Sequence, residues 1–117
     1  MRTILIVLIT AGALLTGAST AQTQQAWAGQ YRVSGVNPDG SVYSGAATIT
    51  SIAKNMYDVV WQTGTESYGG FGYVDAKGYL IVGGLQSPLI ASYAPDGSGT
   101  WLAPGAPTVA TEKLTKQ

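Results

Sequence analysis

The sequence predicts an all-β domain: a small antiparallel up-and-down meander of about eight strands, rolled into a closed or nearly closed barrel. Three observations predict it. Period-two alternation of apolar and polar residues recurs after residue 30, with no helical period of useful length beside it. Turn signals interrupt that alternation every ten residues or so. Fourteen of the sixteen glycines and all eleven aromatic residues lie after residue 21, a mix that suits short strands and tight turns rather than disorder.

The chain opens with "MRTILIVLITAGALLTGASTAQ". Arg2 supplies a positive start, Thr3 to Leu15 is an uncharged apolar run, and "STA" at 19–21 offers small residues for a signal peptidase. This predicts a secretory signal peptide over 1–21, cleaved after Ala21, and a periplasmic or secreted product. The run is shorter than the ~20 residues that span a bilayer, so no membrane span is expected after cleavage. Residues 22–117 then form a single domain.

That domain carries five Lys/Arg against six Asp/Glu, a net charge of −1, with no basic stripe to neutralise phosphates. Nucleic acid is not an expected partner. It holds no cysteine, so its core must close without disulfides.

A polar lead, "QTQQ", precedes the first strand. The alternation predicts strands at "YRVSGVN" (31–37), "VYSGAATITSI" (42–52), "MYDVVWQT" (56–63), "ESYGGFGYVD" (66–75), "GYLIVGGL" (78–85), "PLIASYA" (88–94), "GTWLA" (99–103) and "VATEKLT" (109–115). The segments between them are turns with identifiable chemistry. Asn37-Pro38-Asp39-Gly40 fits a type I turn followed by a left-handed residue: Asn caps, Pro presets φ, and Gly takes the positive φ. Ala94-Pro95-Asp96-Gly97 repeats the recipe, and Asp75-Ala76-Lys77-Gly78 is a looser version. Three uses of one turn argue for geometry. A calcium loop needs a ladder of oxygens ending in Glu, which these segments lack.

The middle hairpin fixes a register. With Gly64-Thr65 as a type II′ turn, Thr63 faces Glu66, Trp61 faces Tyr68, Val59 faces Gly70 and Tyr57 faces Gly72. A ring over Gly72 would cover its backbone, and a slip of one residue would destroy the match. Tyr57, Val59 and Trp61 therefore point inward, and Asp58, Val60 and Gln62 outward. The same rule turns Tyr31, Val33, Ala47, Ile49, Leu80, Val82 and Trp101 inward. "AGQY" at 28–31, with Gly two residues before an aromatic, resembles the Gly-x-Trp opening of lipocalin-like and avidin-like barrels.

No catalytic residue stands out. Histidine and cysteine are absent, which removes the usual general base, the thiol nucleophile and most zinc, copper and haem ligands. No metal and no cofactor is expected, and the protein reads as a non-enzyme. A glycosidase would need two of Asp58, Glu66 and Glu112 in one cleft, and nothing in the spacing puts them there. "GGFG" (69–72) and "GG" (83–84) precede no helix that could hold a phosphate, and read as places of tight coiling. The aromatics admit two readings. Tyr57, Trp61, Tyr68 and Trp101 would line a cavity for a small apolar ligand if the barrel were hollow, and the simpler expectation is that they fill it.

Residues 31–45, 57–64, 92–101 and 111–115 ("YRVSGVNPDGSVYSG", "YDVVWQTG", "SYAPDGSGTW", "TEKLT") resemble, in this order, a family of small bacterial exported proteins, mostly hypothetical, some of them labelled fibronectin-binding protein. The resemblance spans nearly all of residues 22–117. It implies export, a shared β fold and a surface-interaction role, with no catalytic or binding residues to carry over. Relatives have cysteines where Tyr57 and Gly72 stand, which agrees with pairing those two positions. An interaction module of this kind would add a partner strand at an open sheet edge, and "GTWLAPGAP", with its short strand and prolines, is the expected breach. A carrier of a small apolar ligand is the alternative.

Overall fold

The computed structural model of the protein describes residues 26–117. The expected signal peptide over 1–21 lies outside the described residues, as does the polar lead at 22–25.

Eight strands follow one another: β1 (Gly29–Val36), β2 (Val42–Ala53), β3 (Met56–Thr63), β4 (Glu66–Val74), β5 (Leu80–Gly84), β6 (Ile90–Tyr93), β7 (Ser98–Leu102) and β8 (Ala110–Lys116). Each pairs antiparallel with the next, and β8 pairs with β1, so the sheet is a closed barrel. The eight expected strands are all present. Their ends shift by at most two residues, as where the turn closed at Gly78 delays β5 to Leu80.

The β3–β4 register is the expected one, from Thr63↔Glu66 through Trp61↔Tyr68 and Val59↔Gly70 to Tyr57↔Gly72. Gly64 has φ 62° and Thr65 is not left-handed, as a type II′ turn requires. The three related turns share one geometry. Gly40, Gly78 and Gly97 have φ of 90°, 86° and 93°, and each amide donates to the carbonyl three residues earlier, at 2.9, 3.0 and 2.8 Å. Asp39 and Asp96 accept the amides of Ser41 and Ser98, both at 2.9 Å, and so lock the far side of their turns.

Alternation decides the two faces. Tyr31, Val33, Ala47, Ile49, Tyr57, Val59, Trp61, Leu80 and Val82 are buried inside the barrel, while Asp58, Val60 and Gln62 face out. Large rings sit beside small partners. Trp61 pairs with Ala47, and Trp101 lies between Ala91 and Ala110. That large–small matching makes room for the indoles inside a small barrel.

One expected reason differs. A Cβ at Gly72 would first meet the Ile81 carbonyl oxygen, at 2.1 Å, so the β5 backbone excludes a side chain there before the Tyr57 ring does. The ring-over-glycine contact of this hairpin is diagonal: Trp61 reaches to 2.8 Å from a Cβ at Gly70.

The two ends of the barrel differ. Trp27, ahead of β1, closes the end where β1 begins. It is buried at 8 % exposure, its Nε1 donates to the Gly78 carbonyl at 3.3 Å, and its carbonyl accepts the Tyr31 hydroxyl at 2.8 Å. Tyr57 also bonds its backbone. The opposite end has no such plug among the described residues.

Candidate functional site

The site is built around a carboxylate on the inner wall. β8 alternates with Ala110, Glu112 and Leu114 inward, and Glu112 is 8 % exposed. Its neighbours on both flanking strands are glycines, Gly35 on β1 and Gly99 on β7. Each glycine in turn pairs with a tyrosine, Gly35 with Tyr43 on β2 and Gly99 with Tyr93 on β6. One continuous row therefore reads Tyr43–Gly35–Glu112–Gly99–Tyr93 across five strands.

The glycines explain the geometry. A Cβ at Gly35 would stand 2.4 Å from Tyr43 Cζ, and one at Gly99 would stand 2.3 Å from Tyr93 Cδ1. Both rings lie over bare backbone and converge on the carboxylate. The Tyr43 hydroxyl donates to Glu112 Oε1 at 2.6 Å, and the Tyr93 hydroxyl donates to Oε2 at 2.5 Å. Two indoles complete the chain of donors. Trp101 Nε1 donates to the Tyr43 hydroxyl at 2.8 Å, and Trp61 Nε1 donates to the Tyr93 hydroxyl at 3.1 Å.

Burial pushes the Glu112 carboxyl above the usual carboxylate range, against the hydrogen bonds from Tyr43, Tyr93 and Trp61, which favour the charged form. Burial and then the nearby carboxylate push both tyrosine hydroxyls well above their ordinary value, so they remain donors at physiological pH.

A cavity of about 430 Å³ opens above this row at the unplugged end. Its walls are Tyr43, Trp61, Tyr68, Leu89, Tyr93 and Trp101, with Ala91 and Glu112 between them, and its rim includes Asn37, Thr63, Ser87, Pro88 and Ala103. Tyr93 is its floor: the other side of that ring meets Trp27, with centroids 6.5 Å apart. Hence the rings fill one half of the barrel and line the other, where the simpler expectation had them filling all of it. The volume lies within the usual range of small-molecule sites.

Three of the four expected lining residues, Trp61, Tyr68 and Trp101, are in this wall. Tyr57 is not; it is fully buried in the plugged half. Sequence reading missed Tyr43, Tyr93 and the inward direction of Glu112. A signal existed in "VATEKLT", where Glu112 shares its period-two face with Ala110 and Leu114. The three carboxylates of the hydrolase alternative are not assembled. Asp58 and Glu66 are exposed, Glu66 holding the Tyr68 hydroxyl, while Glu112 alone of the three lines the cavity.

The expected breach beside "GTWLAPGAP" is sealed. Ser98↔Lys113 through Trp101↔Ala110 pair β7 with β8, and prolines 104 and 107 fall in the loop after β7 rather than in the seam. A closed barrel offers no free edge to a partner strand. No family profile, curated protein or solved structure matches this chain.

Proposed function

We propose that this is a non-enzymatic exported binding domain, a cup that holds a small, largely apolar ligand in the open half of its barrel. The observation that carries the reading is the 430 Å³ ring-lined cavity above a floor made by Tyr93, in a barrel whose other end Trp27 closes. A side chain longer than alanine at position 91, or an inward Leu where Glu112 stands, would have helped to fill the space. Export rests on residues 1–21.

Tryptophan fluorescence tests it. Trp61 and Trp101 line the cavity and Trp27 does not, so a bound ligand changes the emission of the first two. A Trp27→Phe variant keeps the response, and Trp61→Phe and Trp101→Phe each diminish it. A panel of small aromatic and aliphatic probes that leaves both emission and calorimetry unchanged would overturn the reading.

A surface-interaction role, as the resemblance implies, has a different support. Phe71, Gly83, Ile90 and Leu102 pair in one row across the outer face of β4–β7, and the three apolar side chains are exposed. Such a row could meet a protein face to face, without strand addition. Binding to immobilised fibronectin no stronger than that of an unrelated β-barrel would end this alternative.

A further inference from the structure

The ligand class can be narrowed from the charge of the site; the inference rests on reading the barrel as a cup. Glu112 carries the one carboxyl group in the cavity wall, and every partner it has there is neutral: two hydroxyls and an indole. The described residues contain five cationic side chains, Arg32, Lys54, Lys77, Lys113 and Lys116, and none of them lines the cavity. All five are exposed. Lys113 alternates outward from Glu112 and donates to the Asp96 carbonyl, and Lys116 donates to Ala26 at the plugged end. The carboxyl group therefore stands in a low-dielectric wall with no cation beside it to stabilise its charged form.

The rest of the wall repeats the preference. Trp61, Trp101, Tyr43, Tyr68 and Tyr93 present electron-rich rings to one small volume, and such rings attract cations over their faces. Each carboxylate oxygen accepts one tyrosine hydroxyl, which leaves acceptor capacity on both for further donors. A neutral apolar occupant would displace water and leave the charge less solvated than before. An anion would meet like charge. An ammonium group answers both the carboxylate and the rings.

We propose that the ligand is a small organic cation, an amine or amidine on an aromatic or aliphatic body, whose charged group pairs with Glu112 between Tyr43 and Tyr93 while its body lies against Trp61, Trp101 and Leu89. Three probes of one shape test this: phenethylamine, phenethyl alcohol and phenylacetate, each titrated into the purified protein by calorimetry and tryptophan fluorescence. The amine is expected to bind at least about tenfold more tightly than the alcohol, with the anion weakest. Glu112→Gln, checked for folding by circular dichroism, removes the preference for the amine over the alcohol. Should that variant not fold, the three-probe comparison on the unaltered protein still decides. An alcohol or anion bound as tightly as the amine overturns the cation assignment and leaves the cup standing. No binding by any of the three at millimolar concentration overturns both.

Discussion

Gly99→Ala is the sharpest probe of how the carboxylate row is held together. The new Cβ would lie 2.3 Å from Tyr93 Cδ1, 2.8 Å from Cε1 and 2.7 Å from the Ser92 carbonyl oxygen. To reach ordinary contact the ring must withdraw by about 1 Å. That withdrawal disturbs packed neighbours, because Tyr93 is 1 % exposed and its ring lies against Trp27. Overpacking of this kind costs about 1–3 kcal/mol. The withdrawal also pulls the hydroxyl off Glu112 Oε2, where it sits at 2.5 Å, and losing a hydrogen bond to a charged group costs about 1.5–3 kcal/mol. The two together predict a loss of about 2.5–6 kcal/mol, a large share of a small domain's stability. Urea unfolding followed by near-ultraviolet circular dichroism measures it. A cycle with Tyr93→Phe separates the parts: in that background Gly99→Ala retains the overpacking cost and loses the hydrogen-bond cost. Gly83→Ala is the control, since a Cβ there meets nothing within 4 Å on the outer face, and it changes stability by less than about 0.5 kcal/mol. If Gly99→Ala were as mild as that control, Tyr93 would not lie over Gly99 and the route to Glu112 would be wrong.

Three further outcomes are expected. Gly40→Ala and Gly97→Ala alter twin turns with φ of 90° and 93°, but a Cβ at Gly40 meets nothing, whereas one at Gly97 lies 2.1 Å from the Leu114 carbonyl oxygen. The first costs about 1–2 kcal/mol of left-handed strain and the second clearly more, by urea midpoint; equal losses would refute the distinction. Trp27→Ala opens the plugged end and lowers stability by about 3–5 kcal/mol, and a thermal melt unchanged within a degree would show that the indole does not seal the barrel. Burial raises the native Glu112 pKa above its ordinary value of 4.5, so between that value and the raised one the native state binds more protons than the unfolded state, and stability falls as pH rises through that window. Glu112→Gln flattens this slope in urea midpoints measured from acid to mildly basic pH, and parallel curves for the two proteins would refute it.

Strand order, turn chemistry and the β3–β4 register could be read from the sequence because each depends on residues close together in the chain. Gly64 dictates its turn, and Trp61 and Tyr68 are four residues from its centre at most. The row around Glu112 depends on distant partners. Tyr43 is 69 residues from Glu112 and Tyr93 is 19 residues away, and only closure of β8 onto β1 brings the first of them near. Alternation also reports which face a side chain takes, not its depth along the barrel axis. That is why Tyr57 shares the inner face with Trp61 and yet belongs to the plugged half. Trp27 precedes the first strand in a stretch with no period at all, so nothing local marked it as a closing residue.

The energetics of the inner wall bear on why the carboxylate is there. Replacing a buried charge by a well-packed apolar side chain is often neutral or stabilising. This chain has no disulfide to offset a costly core. Its plugged half is packed conventionally, with Tyr57, Val33, Val59, Leu80 and Val82 all at 1 % exposure or less. A leucine at position 112 would extend that packing upward past Leu114. Instead, two glycines are placed on either side of Glu112, each of which weakens its strand, so that two tyrosine rings can reach the carboxylate. Three positions on three strands thus depart from what packing alone would choose, and all three serve one group. Such a concerted departure suits the proposed binding site better than a merely filled barrel, and Tyr93 ties the two halves together by being both the floor of the cavity and the roof of the core.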